Sequence, residues 1–270
     1  MPGVAWKGSK ALSAAILRKW LAHPLTATLP IDDPATTEAR RRIVIEKPFL
    51  RAIYREWYSM LADALPKAPG AVVELGCGPG FCAEFVPNLI TSEVFPCSNA
   101  QVVLDAHRLP FSDVALRGIL MTNVLHHMAD ARRFFAEATR CLRHGGAILM
   151  VEPWVSPWSK FVYRRLHHEQ MAPQATTWEF HGNGPLSAAN VALPWIVFSR
   201  DREQFEREFS GLSVEQVRPF LPFRYLVSGG VSLRSLMPGF AHGAWAGFER
   251  ALESQMPQLA MFAFLAVRRR

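Results

Sequence analysis

The sequence predicts an α/β protein built on a doubly wound sheet of about seven strands, mostly parallel, with an N-terminal helical extension and lid insertions. Three observations predict it. From Ala71 onward, short β-branched runs alternate with amphipathic stretches of helical period. The first run, Ala71-Val72-Val73-Glu74-Leu75, is followed at once by Gly76, Gly78 and Gly80. Finally, 50% of the 270 residues are hydrophobic and 20% charged, a balance that supports one large core.

Taken in chain order, residues 9–22 set Leu12, Ile16, Leu17, Trp20 and Leu21 at helical spacing, with Lys10 and Arg18 elsewhere. Two readings stay open: a helix docked on the core, or a peripheral contact with a membrane surface. His23-Pro24 ends this segment, and Pro24, Pro30 and Pro34 mark a loop. A helix is expected over 36–65, broken at Pro48, with Phe49, Tyr54, Trp57 and Tyr58 as its aromatic part. Strands are expected at 71–75, 90–94, 101–104, 118–122, 146–152, 212–218 and 259–267, and helices at 80–88, 130–142 and 200–209. Gly145 is placed to cap the helix 130–142. The chain thus divides into a helical extension, 1–70, and a domain, 71–270, interrupted by insertions at 153–198 and 219–257. The first insertion suggests a helix over 157–170, the second one over 241–255. Excursions of that length are expected to be functional loops or lids.

Composition narrows the function. The net charge of +7 is diffuse, and Arg40-Arg41-Arg42 and Arg268-Arg269-Arg270 come with no nucleic-acid-binding motif, so nucleic acid is disfavoured as a partner. Cys77, Cys82, Cys97 and Cys141 form no C-x-x-C pair and no zinc spacing. No apolar run reaches the ~18 residues of a membrane span. The expected location is cytoplasmic, at most peripheral at the inner face of a membrane through residues 9–22. The oligomeric state is open.

The strongest signal is Val72-Val73-Glu74-Leu75-Gly76-Cys77-Gly78-Pro79-Gly80-Phe81. A glycine turn after a strand brings backbone close to a ligand. A dinucleotide enzyme would show G-x-G-x-x-G; here the spacing is G-x-G-x-G, and bulky Phe81 stands where the third dinucleotide glycine belongs. Glu93 follows Gly76 by roughly the 20 positions expected of an acid on a ribose. Val103-Leu104-Asp105-Ala106-His107-Arg108-Leu109-Pro110-Phe111, Met121-Thr122-Asn123-Val124-Leu125-His126-His127 and Arg140-Cys141-Leu142-Arg143-His144-Gly145-Gly146 follow in order.

These segments resemble the class I S-adenosylmethionine-dependent methyltransferases, in particular a subgroup with D-A-x-x-L-P-F and N-V-L-H-H segments. The resemblance covers about residues 72–152. It implies a Rossmann-like sheet and S-adenosylmethionine as cofactor. Gly76, Gly78 and Gly80 would pass under its methionine part, Glu74 would hold its ammonium, and Glu93 would take its ribose hydroxyls. Asp105 and Ala106 would meet its adenine, and Asn123 would edge it. The sequence departs from the subgroup at His144, where proline is common, and at Arg117, where aspartate is common.

Methyl transfer needs alignment and exclusion of water, and implies no obligatory metal. Candidates for a general base are His167 and His168, then His127, with His181 further out. Trp154, Trp158, Phe161, Trp178, Trp195, Phe220, Phe223 and Trp245 of the insertions suggest an apolar acceptor. The expectation is O-methylation of a small-molecule or lipid-linked acceptor. The competing readings are a nicotinamide-dependent oxidoreductase and a non-enzymatic cofactor-binding protein of the same fold.

Overall fold

Seven strands form one sheet in the order β3-β2-β1-β4-β5-β7-β6. They are β1 (Ala71–Leu75), β2 (Leu89–Glu93), β3 (Val102–Val103), β4 (Leu116–Thr122), β5 (Leu142–Pro153), β6 (Leu212–Phe220) and β7 (Phe262–Arg269). The structure, a computed structural model, describes residues 21–26, 29–30, 32–166, 170–182, 184 and 189–270. β1 to β5 pair in parallel, while β7 runs antiparallel between β5 and β6. The order reverses between β1 and β4. Successive crossovers therefore diverge there and leave a crevice beyond the carboxyl ends of the strands.

The helices follow from local chemistry. α1 (Pro34–Glu46) starts where the Asp33 carboxylate accepts the Ala35 N–H at 2.8 Å, with Pro34 at the first helical position. It stops because Pro48 follows: Lys47 is extended, and Pro48 opens α2 (Pro48–Ala64). Phe49, Leu50, Ile53, Tyr54, Trp57, Tyr58 and Leu61 make the buried face of α2 at helical spacing. α3 (Ala131–Cys141) is capped by Asp130, whose carboxylate accepts the Arg133 N–H at 3.0 Å. Beyond β5 come α4 (Pro157–Leu166), α5 (Arg202–Glu208), α6 (Arg224–Val227), α7 (His242–Ala251) and α8 (Met256–Leu259).

Strand side chains alternate between two cores. Ile119 and Met121 of β4 and Ile148 and Met150 of β5 join Phe134, Phe135 and Phe205 in one. Leu120, Leu149 and Val151 join Trp57, Tyr58 and Leu61 of α2 in the other. The N-terminal helices therefore form one of the two helical layers over the sheet.

Some expectations need correction. No helix spans 80–88; a single 3-10 turn, Cys82–Glu84, stands there. Pro87 lacks an N–H and biases Val86 away from helical angles, and Asn88 has φ 56°. Gly145 does not cap α3, which ends four residues earlier; its φ of 74° lies inside β5, where the register with β4 shifts. The helix expected over 241–255 is α7 followed by a 3-10 turn, Glu253–Gln255. Of the segment 9–22, only Leu21 and Ala22 fall among the described residues, and of 157–170, residues 167–169 lie outside them.

Candidate functional site

The crevice at the strand reversal is a cavity of about 230 Å³. Its floor is the carboxyl ends of the parallel strands: Gly76 and Gly78 after β1, Glu93 ending β2, Thr122 and Asn123 at β4, Pro153 ending β5. Thr37 and Arg40 of α1 and Tyr54 of α2 close one side. Val162 and Tyr163 of α4, Tyr225 and Leu226 of α6 and the loop Gly229–Leu233 close the other.

The glycine turn is shaped by backbone and by neighbours. Gly76 and Gly78 have φ of 64° and 24°. A Cβ on Gly76 would stand 2.5 Å from Val124 Cγ2, and one on Gly78 would stand 3.3 Å from Glu93 Oε2. Gly80 differs. Its φ is not positive and it does not line the cavity, but a Cβ there would lie 2.1 Å from the Tyr58 hydroxyl. Phe81 is buried edge-on against that same ring, centroids 5.1 Å apart.

Two acids flank the turn. Glu93 accepts the Gly78 N–H at 3.0 Å and the Val94 N–H at 2.9 Å, which ties β2 to the turn. Burial pushes its pKa up. Glu74 is buried beneath the turn, and among the described residues no donor hydrogen-bonds its carboxyl. Burial, then the nearby charge of Glu93, pushes its pKa up to about 8. A buried carboxyl without donors gains most from a cation brought to it.

On the opposite wall the Arg40 Nε is buried without a hydrogen-bond partner, and the Arg40 charge reaches Tyr54. Arg41 donates to the Gly80 carbonyl, which fixes α1 over the turn. Sequence reasoning took this arginine run as a diffuse surface. Nothing in a chain of like residues says which one turns inward.

Asn123 takes φ 59°, a backbone state that asparagine tolerates better than most residues. The next turn is organised by Glu152, fully buried, which the sequence reading passed over. One oxygen accepts the Val124 and Leu125 N–H groups, each at 2.8 Å; the other pairs with His126 Nδ1 at 2.8 Å. The rings of His126 and His127 lie 4.1 Å apart, and both line the cavity.

A second unanticipated group is Lys47, the extended residue between α1 and α2. Its ammonium donates to the carbonyls of Ser228 at 3.1 Å, Gly230 at 2.8 Å and Leu233. It thereby holds the loop that covers the cavity. Burial brings its pKa down to about 8. Arg224 anchors the neighbouring α6, pairing with Glu249 and with Glu56 at 2.8 Å.

The structure thus brings Gly76, Gly78, Glu93, Asn123 and His127 to one cavity; Glu74, buried near the end of β1 two residues before the turn, is not among its lining residues. Asp105 and Ala106 do not line it. They sit in the turn after β3, where Asp105 accepts the His107 N–H at 2.8 Å and pairs with its ring at 2.7 Å. His167 and His168 lie outside the described residues.

Residues 73–150 match the family described as methyltransferase domain. The uncharacterized 37.1 kDa protein of transposon TN4556 from Streptomyces fradiae is 30% identical over 120 residues, 37% of this chain and 35% of that protein. The match thus spans about a third of that relative's length. Among solved structures, geranyl diphosphate C-methyltransferase from Streptomyces coelicolor A3(2) is similar at 14% identity, with 93% of this chain and 90% of that one covered and a TM-score of 0.47. The YcgJ protein of Bacillus subtilis is similar at 16% identity, with 80% and 99% covered and a TM-score of 0.47.

Proposed function

We propose that this chain is an S-adenosylmethionine-dependent methyltransferase that O-methylates a small or lipid-linked metabolite. One observation carries the reading: the donor-less Glu74 carboxyl lies beneath a left-handed glycine turn at the sheet's reversal, within reach of a second buried acid, Glu93. That set suits a ligand bearing an ammonium and a ribose. The cofactor, when bound, supplies a methyl group activated by its sulfonium. Glu74 would balance the ammonium, and Arg40, whose buried Nε has no hydrogen-bond partner among the described residues, would take the carboxylate. Glu93 retains acceptor capacity on both oxygens for ribose hydroxyls while bonded to Gly78 and Val94. Asn123 would edge the ligand. Asp105 and Ala106 are assigned to the adenine by family resemblance alone, since they do not line the cavity.

The acceptor would occupy the far side, among Tyr54, Val162, Tyr163, Tyr225 and Phe262. Those walls are apolar with hydroxyl tips, which orient a hydrophobic acceptor and keep water from the reacting atoms. His127 is the proposed base among the described residues. His167 and His168 remain proposed from sequence.

The test is calorimetric titration of the chain with S-adenosylmethionine, its demethylated product and NADH. The first two bind and NADH does not. Preferential binding of NADH would establish the oxidoreductase reading, against which the G-x-G-x-G spacing of Gly76, Gly78 and Gly80 speaks. Mass-shift screening against lysate metabolites then finds the acceptor. A chain that binds cofactor yet transfers no methyl is the cofactor-binding protein of the same fold.

A further inference from the structure

The elements that wall the acceptor side of the cavity have an outer face as well. α4 turns Val162 and Tyr163 inward and leaves Pro157, Phe161, Arg164 and Arg165 exposed at spacing i, i+4, i+7, i+8. On α7 and the turn before it, Phe240, Gly243, Ala244 and Phe248 share one outward face, and Phe240 is 91% exposed. The two helices are joined by a row of rings. Phe161 stacks on Trp158 at 5.8 Å, Trp158 meets Phe223 at 5.6 Å, and Phe223 stacks on Phe248 at 6.0 Å. Among the described residues, the exposed large aromatics are Phe161, Phe240 and Phe248, all on this side, and Leu236 is 55% exposed beside them.

The charge on these segments is mostly positive, with Glu253 just past α7 and Glu56 of α2 beside Arg224 as the exposed or half-exposed acids at its edge. Residues 153–166 contain Lys160, Arg164 and Arg165 and no acid. Residues 221–252 expose Arg234 and Arg250, and their one acid, Glu249, is buried against Arg224. The N-terminal chain joins the same side: His23 N–H donates to the Ser232 carbonyl at 2.9 Å, and Arg234 N–H to the Leu21 carbonyl at 2.7 Å. The residues leading into that junction carry Lys7, Lys10, Arg18 and Lys19 and no acid.

We infer that this face docks on an anionic lipid surface. Exposed phenylalanines ringed by cations match a layer whose interior is apolar and whose headgroups are negative. The face and the sequence of residues 1–20, which holds Lys7, Lys10, Arg18 and Lys19 and no acid, both suit a common anionic partner. The placement fits a lipid-linked acceptor, since the docked face is the outside of the wall whose inside lines the cavity, but the inference stands on the surface alone.

Sedimentation with vesicles tests it. The full chain should bind vesicles of phosphatidylglycerol mixed with phosphatidylcholine and not those of phosphatidylcholine alone. Phe240→Ser, at a position with no packing to lose, should weaken binding roughly tenfold, and Phe161→Ser with Phe248→Ser should weaken it further. Arg164→Gln with Arg165→Gln should shift binding to lower salt. Thermal response to S-adenosylhomocysteine, measured on each variant, should stay at the wild-type value; it reports on the cofactor reading separately from the lipid one. No vesicle binding overturns the inference. So does binding that the phenylalanine changes leave untouched, as a polyanion partner such as nucleic acid would give.

Discussion

Gly80→Ala tests whether the third glycine of the turn serves the ligand or the fold. Gly80 has no positive φ, so alanine meets no dihedral penalty of that kind, only a tight approach of 3.1 Å to the Cys77 carbonyl. The obstacle is Tyr58, whose hydroxyl would lie 2.1 Å from the new Cβ and must recede about 1.3 Å to reach ordinary contact at 3.4 Å. It has nowhere to go: Tyr58 is 1% exposed and held by the rings of Tyr54, Phe81 and Phe85 at 5.8, 5.1 and 5.8 Å. Overpacking of that kind costs about 1–3 kcal/mol. Tyr58→Phe removes the oxygen and, with it, the hydrogen bond to the Phe81 backbone, at about 1 kcal/mol. In that background Gly80→Ala still meets Tyr58 Cζ and the Cys77 carbonyl at 3.1 Å, a tight but smaller conflict of under about 1 kcal/mol. Urea unfolding of the two single variants and the double variant should therefore show a coupling of about 1–2 kcal/mol, with the double variant more stable than the sum predicts. S-adenosylhomocysteine affinity of the double variant should stay near wild type. Additivity within about 0.5 kcal/mol, joined to lost affinity in every Gly80→Ala background, would refute the reasoning and make this glycine a ligand contact.

Three further outcomes follow from the buried charges. Glu74, with its pKa raised to about 8, keeps a proton in the native state between the usual carboxylate range and pH 8 that the unfolded chain has released. The free protein should therefore lose stability as pH rises through that window, while affinity for S-adenosylhomocysteine, whose ammonium needs the carboxylate, rises until about pH 8. Glu74→Gln should flatten both in thermal shift and calorimetry, and an unchanged slope would disprove the pairing. Glu152→Ala strands the Val124 and Leu125 N–H groups in the core and should cost about 3–5 kcal/mol in urea unfolding, whereas Glu152→Gln, whose amide oxygen still accepts from both, should cost about 1 kcal/mol. Lys47→Met removes three donors from the loop at 228–233; hydrogen exchange should accelerate there and stay unchanged in β4 and β5, and protection retained in the loop would dismiss the clamp.

What could be read from the sequence was what the backbone constrains locally. The strand Ala71–Leu75, the break between α1 and α2 at Pro48, α3 and the glycine turn each carry a short-range signal: β-branching, a missing N–H, a helical period, a required positive φ. The helix expected at 80–88 shows the limit. Phe81 and Phe85 are spaced as on a helix, but tertiary packing claims Phe81 for Tyr58 and Arg51, and Pro87 denies the segment its last turn. Of the cavity's other wall, α4 had a local signal, the helix expected over 157–170, but the bonds that tie the walls together had none. Lys47 meets carbonyls 181 to 186 positions away, and Glu152 reaches back 28 positions to cap a turn. Such pairings are properties of topology, not of spacing.

The proposed function would divide the cavity along the same contrast. On the floor side, recognition of the proposed cofactor would rest on amides, glycines, Glu74 and Glu93, so a change there would distort β1 or β2 and cost the fold as well as the ligand. On the lid side, the walls are side chains of α4, α6 and the loop at 228–233; the Lys47 ammonium and the Arg224 cluster are among their anchors, with Trp158 Nε1–H donating to the Pro222 carbonyl and His23 N–H to that of Ser232. Replacing Leu226, a cavity-lining side chain, would reshape the chamber without removing any of these anchors. On the proposed function, acceptor choice would change most readily at the side chains of the lid, and cofactor choice would be fixed at the strand ends.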